Sequence, residues 1–153
     1  MPKLQTENLI VRVIRDGDFD AVVELDARVS GSTRPEYYRR KFRRTLDTRD
    51  RLISSYVAEY EDKVIGFIMG DVFMGEFGIP EATATIDTIG VDPRWQGSGV
   101  ASLLLETFLT AARESGVESI QTLVNWKDWD LLKFFAATGF NPTGTLHLEL
   151  SVP

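Results

Sequence analysis

The sequence contains no cysteine and only one histidine, His147, in 153 residues. The first absence excludes disulfides, a thiol nucleophile and thiolate metal ligation, and the second excludes a centre built from several imidazoles. Long apolar runs are also missing: nothing approaches the roughly 20 residues that span a bilayer. Met1 to Asn8 is polar where a secretory leader would carry an apolar core. Positive charge is in deficit, with 17 Lys+Arg against 23 Asp+Glu, a net charge of -6 and a pI near 4.8. A polyanion is therefore a poorer partner than a cationic amine. These absences imply a cytoplasmic protein with no metal, no nucleic-acid partner and no membrane; a monomer or homodimer is the expected state.

What is present is an ordinary globular composition, 43% hydrophobic and 26% charged, which implies a single domain over residues 1–153. Leu9 to Ile14 reads as a strand. Asp16-Gly17-Asp18 then supplies a turn and a cap for a helix over Phe19 to Val29, with Ala21, Val22, Leu25 and Val29 as its buried stripe. Pro35 opens a second helix to about Leu46. Ser54–Tyr60 and Val64–Gly70 flank Glu61-Asp62-Lys63 as a hairpin, and a long strand covers Ala82 to Val91. A helix over Val100 to Ala112 presents Val100, Leu103, Leu104, Phe108 and Ala111. A strand over Ser119–Val124, a helix over Asp128–Thr138 closed by Gly139, and a last strand on the alternation Leu146, Leu148, Leu150 complete the order. The pattern predicts a mixed α/β arrangement around one sheet.

Between the long strand and its helix stands Gln96-Gly97-Ser98-Gly99-Val100-Ala101. Two glycines let backbone amides approach a ligand that a Cβ would block. The helix start adds unpaired N–H groups and the positive end of its dipole, so the turn suits a pyrophosphate. A P-loop would need Lys and Ser/Thr after the second glycine, where Val100 and Ala101 stand. A dinucleotide fingerprint would need a third glycine where Ser102 stands, and would turn almost directly off its strand.

Gln96-x-x-Gly99-x-Ala101, preceded by Val91-Asp92-Pro93, resembles the acetyl-CoA signature of the GNAT N-acetyltransferases, with the RimI-like branch most similar. The element order and the late Gly139-Phe140 extend the resemblance over nearly the whole chain, and it implies the α/β GNAT acyl-CoA N-acyltransferase fold, a central mixed, mostly antiparallel sheet flanked by helices. It implies acetyl-CoA as co-substrate and an amine acceptor: a protein N-terminus, a lysine or a small-molecule amine. By the same resemblance, amides of Gly97, Ser98, Gly99, Val100, Ala101 and Ser102 hold the pyrophosphate. The pantetheine arm pairs like an added strand with Ile89, Gly90 and Val91, and Asp128 supports the cofactor near the thioester. Gly90 then marks either a bulge that opens the edge or a plain bend. For Asp128 the other reading is a helix cap.

Many members carry a catalytic tyrosine four residues before Gly-Phe, and some a glutamate on the preceding strand. Phe135 and Leu123 stand at these positions, so the usual acid and base are absent. Period-two alternation puts Thr83, Thr85, Asp87 and Ile89 on one face of the long strand, and makes Asp87 the candidate base. Pairing with a nearby hydroxyl or Arg is its other reading. Glu76 and Glu81 are weaker candidates. Arg34, Arg39, Arg40, Lys41, Arg43 and Arg44 crowd the second helix, which the resemblance makes a wall of the acceptor cleft with Tyr37 and Tyr38; a solvated charged face is the alternative. Trp126 and Trp129 line a cleft or pack, and Phe134 and Phe135 pack the core or the cofactor's side. A fold that binds acyl-CoA for regulation, with a degenerate catalytic site, is the rival reading.

Overall fold

Chain order in the computed structural model, which describes residues 3–47, 55–74 and 82–153, runs β1 (Leu9–Val13), α1 (Phe19–Ser30), α2 (Pro35–Asp47), β2 (Tyr56–Tyr60), β3 (Lys63–Met74), β4 (Ala82–Val91), α3 (Val100–Glu114), β5 (Ser119–Thr122) and α4 (Trp129–Ala137). The strands form a sheet of order β1-β2-β3-β4-β5. The first three pairings are antiparallel, and β4 pairs parallel with β5 after the α3 crossover. By internal contacts the chain divides into two compact units, Met1–Thr122 and Leu123–Pro153.

In the first unit, α1 and α2 cover one face of the sheet. Ile14, Val22, Leu25, Tyr38, Phe42, Val57, Phe67 and Met69 form their common core, with the Tyr38 and Phe67 rings edge to face at 5.9 Å. Val29 was expected in this stripe but is 42% exposed. The buried place is taken instead by Asp26, which can go inside because Arg34 grips it with two hydrogen bonds of 3.0 and 2.8 Å. Asp18 stands at the N-cap position of α1 yet does not cap it. Its carboxylate accepts from both terminal nitrogens of Arg12 at 2.8 Å and from the Arg15 amide at 2.7 Å, closing the preceding 3-10 turn.

On the opposite face α3 lies close to β3. A Cβ on Gly66 would meet Val100 at 3.0 Å and Leu104 at 3.1 Å, and one on Gly70 would come within 2.4 Å of the Thr85 carbonyl and 2.5 Å of the Phe108 ring. Val100, Leu104, Phe108 and Ala112 thus form a strict i, i+4 ridge seated over small residues. All four are buried together with Leu105, whereas the expected Leu103 and Ala111 are half-buried. The ridge follows the trough that the glycines leave.

The alternation along β4 breaks once. Thr88 pairs with Met69 and Ile86 with Gly70, so Asp87 has no partner of its own and forms a β-bulge. Two successive residues then face α2: Asp87 contacts Lys41 and Thr88 contacts Tyr38. This corrects two expectations. The bulge sits at Asp87 rather than Gly90, which pairs regularly with Phe67; and Ile89, opposite Ile68, turns to the α3 face instead of sharing that of Thr85 and Asp87.

In the second unit, Asp128 caps α4 by accepting from the Leu131 amide at 3.1 Å. Gly139, at φ +99°, closes the helix as the Phe140 amide donates to the Phe135 carbonyl at 3.0 Å. Phe135 is buried, with Phe134 and Phe140 rings at 5.3 and 4.9 Å. The final strand expected on Leu146, Leu148 and Leu150 does not form: that segment has no regular structure, and these side chains are more than four-fifths exposed. Alternation specifies a face, but a strand also needs a neighbour for its N–H and C=O groups.

Candidate functional site

The turn from β4 into α3 is built almost wholly from backbone. Asp92 starts it: the buried carboxylate accepts from the Arg94 amide at 2.9 Å and from Arg28 at 3.1 Å, and its own amide donates to Ile65 at 2.7 Å. Burial pushes the Asp92 carboxyl up, but the Arg94 amide and the two guanidinium groups outweigh it and hold it below the usual carboxylate range. After a 3-10 turn over Pro93–Trp95, the Gln96 amide nitrogen donates to the Val91 carbonyl at 3.2 Å. Gln96 therefore fastens the turn to the end of the strand.

Gly97 and Gly99 both hold positive φ, +80° and +89°, and nothing lies within 4 Å of a Cβ built on either. No side chain caps α3 at Gly99. The first intrahelical bond of the loop runs from Leu103 to the Gly99 carbonyl at 3.0 Å, which leaves the amides of Val100, Ala101 and Ser102 without helical acceptors. Open space over two glycines and several uncommitted N–H groups fit a pyrophosphate, the anionic part of acetyl-CoA.

Beside this cradle β4 has a free edge. β5 pairs with β4 only from Thr83 opposite Ser119 to Ile86 opposite Thr122, and among the described residues of this unit Asp87 to Val91 have no strand on that side. Ile89, Gly90 and Val91 thus lie where an extended amide chain could add as a strand.

On the α2 side of the bulge, Lys41 Nζ lies 2.6 Å from Asp87 Oδ2 and 5.5 Å from the Tyr37 ring centre, and the Thr85 hydroxyl donates to Asp87 Oδ1 at 3.4 Å. Asp87 is therefore a paired carboxylate, the second of its two readings in kind, with lysine in place of arginine. Arg34 stacks over Tyr37 at 4.8 Å while holding Asp26. Tyr38 is fully buried, so it does not wall an open cleft; its hydroxyl shares a 3.4 Å hydrogen bond with Thr88. Burial pushes that hydroxyl well above its ordinary value.

The model of the acetyltransferase (GNAT) family matches residues 19–140. The chain belongs to this family. No curated protein matches the sequence significantly, but solved structures share its fold. A transcriptional regulator from Bacillus halodurans C-125 superposes with a TM-score of 0.78 at 20% identity, over 94% of this chain and 99% of that one. An aminoglycoside N-acetyltransferase in complex with CoA gives 0.77 at 16% identity, covering 94% of each chain. The ribosomal-protein-S18-alanine N-acetyltransferase from Escherichia coli gives 0.73 at 18% identity, over 88% of this chain and 79% of that one.

Within this GNAT chain the expected residues fall into separate groups. Gln96 to Ser102 and Ile89 to Val91 gather at one end of β4, and Asp87 stands at the bulge. Asp128, Leu123, Trp126 and Trp129 belong to the second unit, where Asp128 is a helix cap and the other three are exposed. Glu76 and Glu81 lie outside the described residues. Sequence reasoning passed over Asp26, Thr88 and Arg28: each looks like a surface residue of an amphipathic helix or strand, and only its partner across the fold reveals its place. Among the described residues no group of three or more His, Cys, Asp or Glu could hold a metal ion, and no helix is long and apolar enough to cross a membrane.

Proposed function

We propose that this GNAT protein is an N-acetyltransferase that transfers an acetyl group from acetyl-CoA to a primary amine by direct attack, one acetyltransferase domain working in the cytoplasm. The observation that carries the reading is the coincidence of the glycine cradle, the uncapped start of α3 and the single-edged stretch of β4. Bound there, acetyl-CoA supplies an activated thioester carbonyl. The amides of Gly97 to Ser102 bind its pyrophosphate, and the backbone of Ile89, Gly90 and Val91 aligns the arm.

Asp87 receives the acceptor. A carboxylate already matched to an ammonium is suited to attract a cationic amine and to take its proton through water as nitrogen attacks. A carboxylate is an intrinsically weak base, so positioning and ion pairing carry much of the effect. With Phe135 in place of the usual acid, thiolate departs with help from backbone amides or solvent. The acceptor class is a protein N-terminus, a lysine or a small-molecule amine.

Phe135 and Leu123 favour one rival: a regulatory module that binds acyl-CoA without turnover. Calorimetry with acetyl-CoA, for the native chain and Gly99→Trp, tests the cradle; native heats unchanged in the variant would refute it. Mass spectrometry of an amine panel with acetyl-CoA then separates enzyme from module, since the module binds and acetylates nothing. Thiol release by Asp87→Ala at the native rate would remove Asp87 from the chemistry.

A further inference from the structure

Three features meet at the β4 bulge. Lys41 Nζ lies 2.6 Å from Asp87 and 5.5 Å from the Tyr37 ring centre, so a carboxylate and an aromatic face hold one primary ammonium. This is the recognition chemistry that an acceptor amine needs, and the chain fills it itself. The Lys41 and Asp87 side chains keep 22% and 24% of their exposure, sheltered but open to solvent. Lys3, Lys63, Lys127 and Lys133 are exposed on the surface.

We infer that Lys41 is an acetylation site of the protein's own making, an internal acceptor occupying the ammonium site that external amines use. The inference rests on the proposed transferase activity. In the step, the Lys41 ammonium loses one proton to Asp87 and thence to water, the neutral Nζ attacks the thioester carbonyl, the new C–N bond forms as the C–S bond breaks, the nitrogen releases its second proton by the same route, and the thiolate takes a proton from solvent. Asp87 lies three residues before Gly90, about 10 Å along the strand, and the flexible four-carbon stem of lysine lets Nζ swing toward it. The product amide carries no charge, so Asp87 loses its internal partner. Acetylation of Lys41 would open the site to a cationic substrate, a self-priming step.

The test incubates the full chain with acetyl-CoA and no added amine, followed by digestion and tandem mass spectrometry. Lys41 should gain one acetyl group at a rate independent of protein concentration and at least ~10-fold faster than Lys63. The gain should disappear in Lys41→Arg and slow about 10-fold in Asp87→Asn. Equal acetylation of all lysines, or none at Lys41 while an added amine is acetylated, would overturn the inference and leave the transferase standing. Absence of acetyl transfer to any amine, internal or added, would overturn both. A measurement without cofactor checks the site itself: reductive methylation should label Lys41 several-fold more slowly than Lys63 in the native chain and equally in Asp87→Asn. Equal labelling in both proteins would refute the ammonium box.

Discussion

Two tight turns in this molecule place consecutive or near-consecutive residues at positive φ, and they do so with different amino acids. The β2–β3 hairpin uses Glu61 and Asp62, at φ +50° and +63°, and the turn from β4 into α3 uses Gly97 and Gly99, at +80° and +89°. The hairpin shows that this chain tolerates side chains where only a left-handed bend is required. Glycine in the cradle therefore answers a second demand, open space in front of backbone amides. Gly31, Gly116 and Gly139 also combine positive φ with empty space, nothing lying within 4 Å of where a Cβ would stand, but they close helices. Among the described residues, only at Gly97 and Gly99 does the open space coincide with an uncapped helix start.

The largest expected effect comes from breaking the cradle without disturbing its backbone. Asn tolerates the left-handed region better than other residues with a Cβ, so Gly99→Asn should keep the fold while placing a side chain in the anion's path. Loss of two charge-assisted hydrogen bonds at ~2 kcal/mol each corresponds to roughly 1,000-fold weaker acetyl-CoA binding by calorimetry. Unchanged affinity in a folded variant would reduce the glycines to turn formers.

Asp87→Ala should act in the opposite manner, lowering turnover about 100-fold, the low end for a positioned base, while leaving the acetyl-CoA dissociation constant unchanged. The contrast also shows what sequence patterning reveals. The ends of β4, the start of α3 and the cradle were legible because glycine, an apolar strand and helix periodicity are local signals. The bulge was not, because it arises from register with β3, where Gly70 pairs with Ile86 and is pressed between Phe108 and the Thr85 carbonyl. Strict alternation therefore placed Asp87 on its correct face and Ile89 on the wrong one. The pairs Asp26–Arg34 and Asp92–Arg28 were equally hidden, since a charged residue on an amphipathic helix reads as solvated until its buried partner is known. Leu146, Leu148 and Leu150 show the converse: a clean local pattern with no strand to pair.

The two turns also differ in anchoring. Only the cradle turn has a buried carboxylate at its start. At neutral pH, Asp92→Asn should cost about 2 kcal/mol of stability, through lost hydrogen bonds to the Arg94 amide and the guanidinium groups. Because the native carboxyl titrates below its unfolded value near 3.9, its contribution is complete above that value and fades as pH falls through the native pKa. Urea midpoints of native and variant should accordingly converge in acid. A difference that widened on acidification would contradict this anchoring.

The smallest effect tests the hairpin side of the comparison. Type I′ turns favour Asn-Gly because both central residues need positive φ, and Glu61 and Asp62 meet that geometry at a cost that the paired strands offset. Replacing both, Glu61→Asn with Asp62→Gly, removes most of that cost, although Gly also enlarges the entropy of the unfolded chain. The net gain should be ~0.5 to 1 kcal/mol, read as a rise in Tm of about 1–4 °C for a protein of this size. Acetyl-CoA affinity should not move, because this turn presents no helix start and no converging amides. A change in affinity would mean that the hairpin and the cradle are energetically coupled through β3 and β4, and positive φ could then no longer be read separately as bend in one turn and as binding surface in the other.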